Sequence, residues 1–173
     1  MIREVLSYPN KTLKQKSKEV EVFDETLHAL LEDMNETMMS RGGVGLAAIQ
    51  IGVALRVLVI NIPDENDEQK PENLIEAINP VITEREDEIV FKEGCLSVPE
   101  FYEEIIRSKR IKVEYFNRFG EPKEIFCEDF LAVAWQHEID HLNGRLFVEK
   151  LSILKRKKFE KEYSSKKNNK TKK

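Results

Sequence analysis

Apolar residues recur at spacings of three and four between positions 24 and 41. They are Leu27, Leu30, Leu31, Met34 and Met38. This period matches one face of an α-helix. Asp24 can cap the first turn and Gly42-Gly43 can end the last, so we predict an amphipathic helix over 24–41. We expect this N-terminal helix to serve as scaffold.

A second helix is predicted from Phe130 through Leu142, a largely apolar run that contains alanine. Asp129 would begin this helix, and Gly144 would end it. The helix carries the pattern His-Glu-x-x-His near its C-terminal end.

The strand-like segments are short. Residues 55–60 predict a buried strand, and further strand-like segments follow around 75–82 and 88–92. Residues 111–116 and 123–127 flank the turn-forming stretch NRFGEP, which predicts an antiparallel hairpin. We therefore predict an α+β fold of short, largely antiparallel strands around a central helix that carries His-Glu-x-x-His, with the N-terminal amphipathic helix beside them.

The length of 173 residues fits one domain. No apolar run approaches the roughly 20 residues that a membrane-spanning helix needs, and the first residues lack the basic and apolar regions of a secretion signal. We therefore expect a cytoplasmic protein without a membrane partner. In that compartment two cysteines are expected to be free or metal-bound.

The net charge of −4 is distributed unevenly. Residues 155–173 carry ten Lys or Arg and two Glu, which gives +8 there and −12 on the rest of the chain. We predict a catalytic domain over 1–154 and a basic C-terminal tail over 155–173 that is either helical or disordered. Such a tail is either a solvated segment or an electrostatic contact for nucleic acid.

The pattern His-Glu-x-x-His indicates metal chemistry. Residues four apart on a helix project from nearly the same side, so His137 and His141 can bind one ion. Glu138 lies beside them and can take a proton from a water at that ion, which indicates hydrolysis. The alternative is two ordinary surface histidines with an ion pair.

A catalytic site of this type needs a third protein ligand and an open position. One metalloprotease pattern places a histidine where this chain has Phe147, and a second places a Glu near Glu160 and Glu162, which lie in the lysine-rich tail. His28 is expected to be an exposed polar residue of the first helix, and Cys127 a small core residue. Cys95, which follows Gly94 between two strand-like segments, is the remaining candidate.

Three motifs together resemble those of bacterial peptide deformylases. They are G-x-G-x-A-A-x-Q at 43–50, E-G-C-L-S at 93–97 and Q-H-E-x-D-H-L-x-G at 136–144. They occur in the family's order, and the likeness extends from the region of Pro9 to about Leu154. The tail beyond Lys155 lies outside these motifs.

The resemblance implies a metal-dependent hydrolase that removes the formyl group from N-formylmethionine of nascent polypeptides and releases formate. It implies that Cys95, His137 and His141 bind one divalent ion and that Glu138 is the general base. The side-chain amide of Gln50 and the backbone N–H of Leu96 would stabilise the oxyanion. The family is known for ferrous iron, and zinc, nickel or cobalt also suit these ligands.

The substrate site is expected beside the metal. Val133 and Ala134 precede His137 by four and three residues, so they can form walls of an apolar pocket for a methionine side chain. The family suggests that Val44 and Gly45 form part of the rim that binds the peptide backbone. Many members carry an arginine at the pocket entrance where this chain has Tyr102, and the next arginine of the segment is Arg107.

Two other functions fit parts of the pattern. The chain could be a zinc endopeptidase that uses His-Glu-x-x-His, or a non-catalytic binding module stabilised by a metal. A structural metal site would need a fourth protein ligand, which the neighbouring sequence does not offer. The family's C-terminal extension supports ribosome binding, so we expect the basic tail to contact the ribosome, and we expect no DNA partner.

Overall fold

The computed structural model describes residues 1–170, and its architecture is an α+β fold, as predicted. A five-stranded antiparallel sheet has the order β1-β2-β3-β4-β5. The strands are β1 Gly45–Ala47, β2 Val57–Ile60, β3 Ile75–Cys95, β4 Val98–Phe116 and β5 Pro122–Glu128. The helices are α1 Glu25–Ser40, α2 Asp129–Leu142 and α3 Ile153–Lys170.

Helix α1 begins where the sequence places its cap. The Asp24 side chain accepts a hydrogen bond from the backbone N–H of Leu27 at 3.2 Å, which satisfies one of the unpaired N–H groups of the first turn. The helix buries the predicted apolar face, whose members are Leu27, Leu30, Leu31, Met34 and Met38. Gly42, with φ of +64°, follows its end.

Strand β2 is buried on both of its faces. Val57 and Val59 pack in the apolar cluster that includes α1, whereas Leu58 and Ile60 pack in the cluster that includes α2. Because successive side chains of a strand point to opposite faces, the two helices lie on opposite sides of the sheet. This explains why β2 has a continuous apolar sequence.

The prediction that the strands are short is wrong for β3 and β4, which contain 21 and 19 residues. The polar run over 83–88 interrupts the apolar pattern from which strands are predicted. Pairing of the two strands continues through this run, because it depends on backbone hydrogen bonds and not on apolar side chains. Ion pairs of Lys112 with Glu84 and of Arg110 with Glu86 also link the strands.

Helix α3 packs on the rest of the fold through the aromatic side chains of Phe159 and Tyr163. Phe159 is buried in an apolar cluster with Leu13 and Phe147, and its ring centroid lies 5.2 Å from that of Tyr8. The helix crosses the predicted boundary at residue 154. The division into a domain over 1–154 and a tail over 155–173 stays a prediction, and residues 171–173 of that tail lie outside the described residues. Among residues 1–170, no helix is both long enough and apolar enough to cross a membrane.

Candidate active site

The β3–β4 hairpin and helix α2 bring the three predicted metal ligands together. Cys95 is the last residue of β3 and pairs with Val98 across the hairpin turn. His137 and His141 lie one turn apart on α2, where both are buried. The hairpin turn therefore presents a sulfur atom to the two imidazole rings.

The donor atoms of these residues converge on one point. The two histidine Nε2 atoms are 3.2 Å apart, the Cys95 Sγ atom is 3.4 Å from His141 Nε2, and all three atoms lie within 4.8 Å of one another. In tetrahedral coordination at the usual zinc bond lengths, two nitrogens lie about 3.3 Å apart, and a nitrogen and a sulfur about 3.6 Å apart. The residues therefore fit one metal ion of this kind.

The electrostatics of the cluster also suit a cation. Burial and the neighbouring His137 lower the pKa of His141 well below its ordinary value, which keeps this ring in the neutral form that binds metals. For His137 burial acts in the same direction, but the neighbouring Cys95 and the hydrogen bond to Glu93 raise its pKa above the ordinary value. The groups around His137 that favour a proton on its ring would also favour a divalent ion bound to that ring.

A buried ion pair fixes the orientation of His137. The His137 Nδ1 atom lies 2.8 Å from Glu93 Oε1, and since a carboxylate only accepts, Nδ1 donates, which leaves Nε2 as the nitrogen that a metal ion could bind in place of a proton. Arg107 binds the two oxygens of Glu93 at 2.7 and 2.9 Å and Asp140 at 2.5 Å. Burial opposes ionisation of Glu93, but hydrogen bonds from Arg107 and His137 lower its pKa to about 2.

The roles of Glu93 and Arg107 were not predicted from the sequence. Glu93 was part of a motif without a role of its own, and Arg107 was only the next arginine after Tyr102. Arg107 is buried and is not among the residues that line the cavity. The register of β3 and β4 places Ile89 opposite Arg107, so Glu93, four residues along the strand from Ile89, lies on the same face as Arg107 and within reach of its long side chain. The register of a long hairpin is not visible in the separate strand segments that the sequence predicts.

Glu138 is buried next to the three donors. Burial raises the pKa of this carboxyl to about 7, and its Oε1 atom lies 4.0 Å from His137 Nε2. Its Oε2 atom is buried and has no hydrogen-bond partner among the described residues. A Cβ atom on Gly45 would lie 2.7 Å from Oε1, so glycine at that position allows strand β1 to approach the carboxylate.

Gln50 is held by three contacts on the other side of Cys95. Its Oε1 accepts from the Ala47 backbone N–H at 2.9 Å, and its Nε2 donates to Ser97 Oγ at 3.0 Å and to Cys95 Sγ at 3.6 Å. Leu96 is the residue between Cys95 and Ser97 in the hairpin turn. The Gln50 amide is therefore fixed at the sulfur.

An open cavity of about 490 Å³ adjoins these groups. Cys95, His137 and Glu138 line this cavity. The predicted substrate-binding residues line it as well, and they are Val44, Gly45, Val133, Ala134 and Tyr102. Two further walls, Phe91 and Phe130, stack with ring centroids 5.1 Å apart and an interplanar angle of 10°. Their signal in the sequence was weak, because Phe130 begins the predicted helix and Phe91 lies inside a predicted strand.

Tyr102 lies at the mouth of this cavity. It is paired with Gly94 in the hairpin, and a Cβ atom on Gly94 would lie 2.4 Å from the tyrosine ring. The ring therefore covers the backbone of the residue before Cys95, while 64% of the tyrosine remains exposed.

The other candidate ligands lie apart from this cluster. Cys127 is a core residue, as predicted, and burial raises the pKa of its thiol to about 11. Glu160 and Glu162 are exposed on α3. The expectation that His28 is exposed is wrong, because its ring packs on Phe119 at 5.5 Å between centroids and its Nε2 atom lies 2.9 Å from the Arg118 carbonyl oxygen.

Comparison with known proteins decides the family. The family model described as polypeptide deformylase matches residues 2–157. The chain belongs to the polypeptide deformylase family. A peptide deformylase from Wolinella succinogenes is 55% identical over 158 residues, which cover 91% of this chain and 93% of that protein. One from Helicobacter pylori is 57% identical over 159 residues, covering 92% and 91%.

Solved structures of peptide deformylases agree with this assignment. The crystal structure from Legionella pneumophila matches with a TM-score of 0.89 and 44% identity, covering 100% of this chain and 99% of that one. The structure from Ehrlichia chaffeensis in complex with actinonin matches with a TM-score of 0.86 and 39% identity, covering 95% and 97%. As a deformylase, the enzyme removes N-formyl groups from nascent polypeptides, and an endopeptidase is not favoured.

Proposed function

We propose that Cys95, His137 and His141 hold one divalent metal ion and that Glu138 is the general base of deformylation. The convergence of the three donor atoms beside the buried Glu138 carboxylate is the observation that supports this proposal. An ion at these ligands supplies the Lewis-acid chemistry that makes water a nucleophile at neutral pH.

Glu138 has the geometry to move a proton twice. Its unpartnered Oε2 atom can accept the proton of the attacking water. When the bond between the formyl carbon and the amide nitrogen breaks, the same carboxyl can give that proton to the departing amine. The products are formate and a free amino terminus.

Gln50 and Leu96 are proposed to stabilise the negative oxygen that develops on the formyl carbon. The Gln50 Nε2 atom lies 3.6 Å from Cys95 Sγ, and the backbone N–H of Leu96 belongs to the residue that follows this sulfur. Loss of one donor of this kind typically lowers kcat about 10² to 10³-fold.

The cavity is proposed to take the N-formylmethionine side chain between Val133, Ala134 and the stacked pair of Phe91 and Phe130. Val44 and Gly45 would bind the peptide backbone, because the short strand β1 pairs within residues 1–170 with β2 alone and leaves its other edge open. Tyr102 would contact the substrate beyond its first residue, since it lies at the mouth of the cavity.

The bound metal is proposed to be Fe(II), with zinc, nickel or cobalt as substitutes. One thiolate and two imidazoles suit each of these ions, so metal analysis of enzyme purified without oxygen is the test. Iron that tracks with specific activity across preparations supports the assignment. Full activity in preparations that contain only zinc contradicts it.

We propose that the enzyme is cytoplasmic and that its basic tail contacts the ribosome. Lys157, Lys158 and Lys161 are exposed on α3, where they could contact RNA phosphates. Their joint replacement by Gln should weaken co-sedimentation with ribosomes, and raising the salt concentration should weaken it further. Replacement of the exposed Lys11, Lys14 and Lys16 is the control, and equal binding by both triple variants contradicts the proposal.

The assay that tests the reaction compares cleavage of the N-formyl amide bond with cleavage of the internal peptide bonds in one peptide. Metal-loaded enzyme is incubated with formyl-Met-Ala-Ser, and formate and peptide fragments are both quantified. We expect formate release with the peptide bonds left intact. Cleavage of an internal peptide bond without formate release would support the endopeptidase alternative.

A further inference from the structure

The outer face of the β3–β4 hairpin carries an exposed apolar surface that leads away from the cavity. Val90 lies opposite Ile106, and Gly94 opposite Tyr102, with Lys92 and Glu104 between them. Because alternate residues of a strand share a face, these pairs lie on one side of the hairpin. Val90, Ile106 and Tyr102 are 59%, 61% and 64% exposed. We call them the hairpin track.

The neighbouring edge of β3 is open to a further strand. Among residues 1–170, β3 pairs with β2 only from Ile75 to Ile78, and its later residues pair only with β4. Five consecutive β3 residues, 91–95, line the cavity along this edge. Their free backbone groups can bind an extended peptide, and the side chains of such a peptide alternate between the two faces.

We propose that the hairpin track binds apolar side chains of the formylated nascent chain downstream of its first residue. The inference rests on the proposed function, because formyl-methionine in the cavity fixes where the peptide begins. The track meets the cavity at Tyr102, which belongs to both, and the facing residues Lys92 and Glu104 lie between Tyr102 and the other two residues of the track. The substrate class is therefore a formylated peptide with apolar residues at defined downstream positions.

Strand geometry determines which positions those are. The methionine side chain points to the inner face, where Phe91 and Phe130 lie, so residues 2, 4 and 6 of the substrate point to the outer face. From Gly94 to Val90 an extended chain covers about 13 Å, at about 3.3 Å per residue. A side chain at position 4 or 6 therefore reaches Val90 and Ile106.

A valine scan tests the predicted alternation. Heptapeptides begin with formyl-Met, continue with Ser, and carry one Val at position 4, 5, 6 or 7. We expect kcat/KM to rise about three- to tenfold over the all-Ser peptide for Val at an even position that reaches the track, and to stay constant for odd positions. No rise at any position, or equal rises at neighbouring positions, overturns the proposal.

Two variants locate the effect. The double substitution Val90→Thr with Ile106→Thr keeps β-branched side chains in both strands and removes apolar surface, so the preference for Val should disappear. Val81→Thr is the matched control, because Val81 is a β3 residue that is 57% exposed outside the track. A preference that survives the double substitution, with the fold checked by circular dichroism, also overturns the proposal.

The experiment separates this inference from the proposed function. Formate release from formyl-Met-Ala-Ser by the unsubstituted enzyme depends on the catalytic groups and does not involve Val90 or Ile106. If that release occurs and the valine scan is flat, only the track is rejected. If that release does not occur, the proposed function itself fails.

Discussion

At the scale of single residues, the proposed role of Glu138 depends on the burial of this α2 side chain against β1. Gly45 leaves the space in which the carboxylate lies, and the carboxylate has an oxygen without a hydrogen-bond partner in the described chain. A buried acceptor without a partner costs free energy unless another group uses it. The proposed proton transfer gives that oxygen a function.

Replacing Glu138 by Gln should separate metal binding from catalysis. The amide keeps the size of the side chain and removes the base, so we expect unchanged metal content and a loss of about 10² to 10⁴-fold in kcat. Metal stoichiometry and formate release are measured on the same preparation. A variant with metal and with the unsubstituted rate would contradict the role of Glu138.

Replacing Arg107 by Met should destabilise the fold and the metal site together. The substitution leaves Glu93 buried without its cation, so we expect the free energy of unfolding to fall by about 3–5 kcal/mol and metal affinity to fall about 10- to 100-fold. Urea unfolding and metal titration measure the two effects. Arg110→Met is the control, since its ion pair with Glu86 is exposed to solvent and its loss should change the free energy of unfolding far less.

Residues whose roles follow from local spacing could be predicted from the sequence, and residues whose roles follow from strand register could not. The spacing of His137 and His141 indicated a metal, and Cys95 was the candidate that remained for the third ligand. Glu93 and Arg107 are 14 positions apart, and only the long hairpin brings them together. That hairpin could not be predicted, because the polar run over 83–88 divides the apolar pattern of β3 into two short segments.

At the scale of elements, α3 shows how a charged sequence can contain a structural anchor. Phe159 is an aromatic residue within a run of lysines, and composition alone left the tail either helical or disordered. In the structure its ring centroid lies 4.7 Å from that of Phe101 in the strand that follows the hairpin turn. The tail therefore combines an exposed basic surface with a buried attachment to the catalytic core.

Replacing Phe159 by Ala should reduce the free energy of unfolding by about 3–5 kcal/mol, the usual cost of removing a buried aromatic side chain. Chemical denaturation measures this change. Leu154→Ala is the control, because Leu154 is 81% exposed at the start of the same helix. If the two variants are equally stable, the packing of α3 on Tyr8 and Phe101 is wrong.

At the scale of the whole molecule, the proposed metal site joins parts of the chain that are far apart in sequence. The hairpin turn supplies Cys95, and α2 supplies the two histidines from the centre of the fold. A ligand that binds the folded state and not the unfolded chain stabilises the fold by mass action. Metal binding should therefore be measurable in the stability of the entire domain.

Removing the metal should lower the stability of the enzyme. Zinc at one hundred times its dissociation constant is expected to add about 2.7 kcal/mol to the free energy of unfolding. Urea unfolding with zinc and with a chelator measures the difference. It should persist in Cys127→Ser, whose thiol lies in the core away from the site. Equal stability with and without metal would contradict binding by the folded site.

X-ray absorption spectroscopy of the zinc-loaded enzyme tests the central claim most directly. The account predicts one sulfur at about 2.3 Å from the metal and two imidazole nitrogens at about 2.0–2.1 Å. The sulfur should be lost in Cys95→Ser and retained in Cys127→Ser. A spectrum without sulfur in the unsubstituted enzyme, or with sulfur retained in Cys95→Ser, would contradict the assignment of Cys95 as the third ligand.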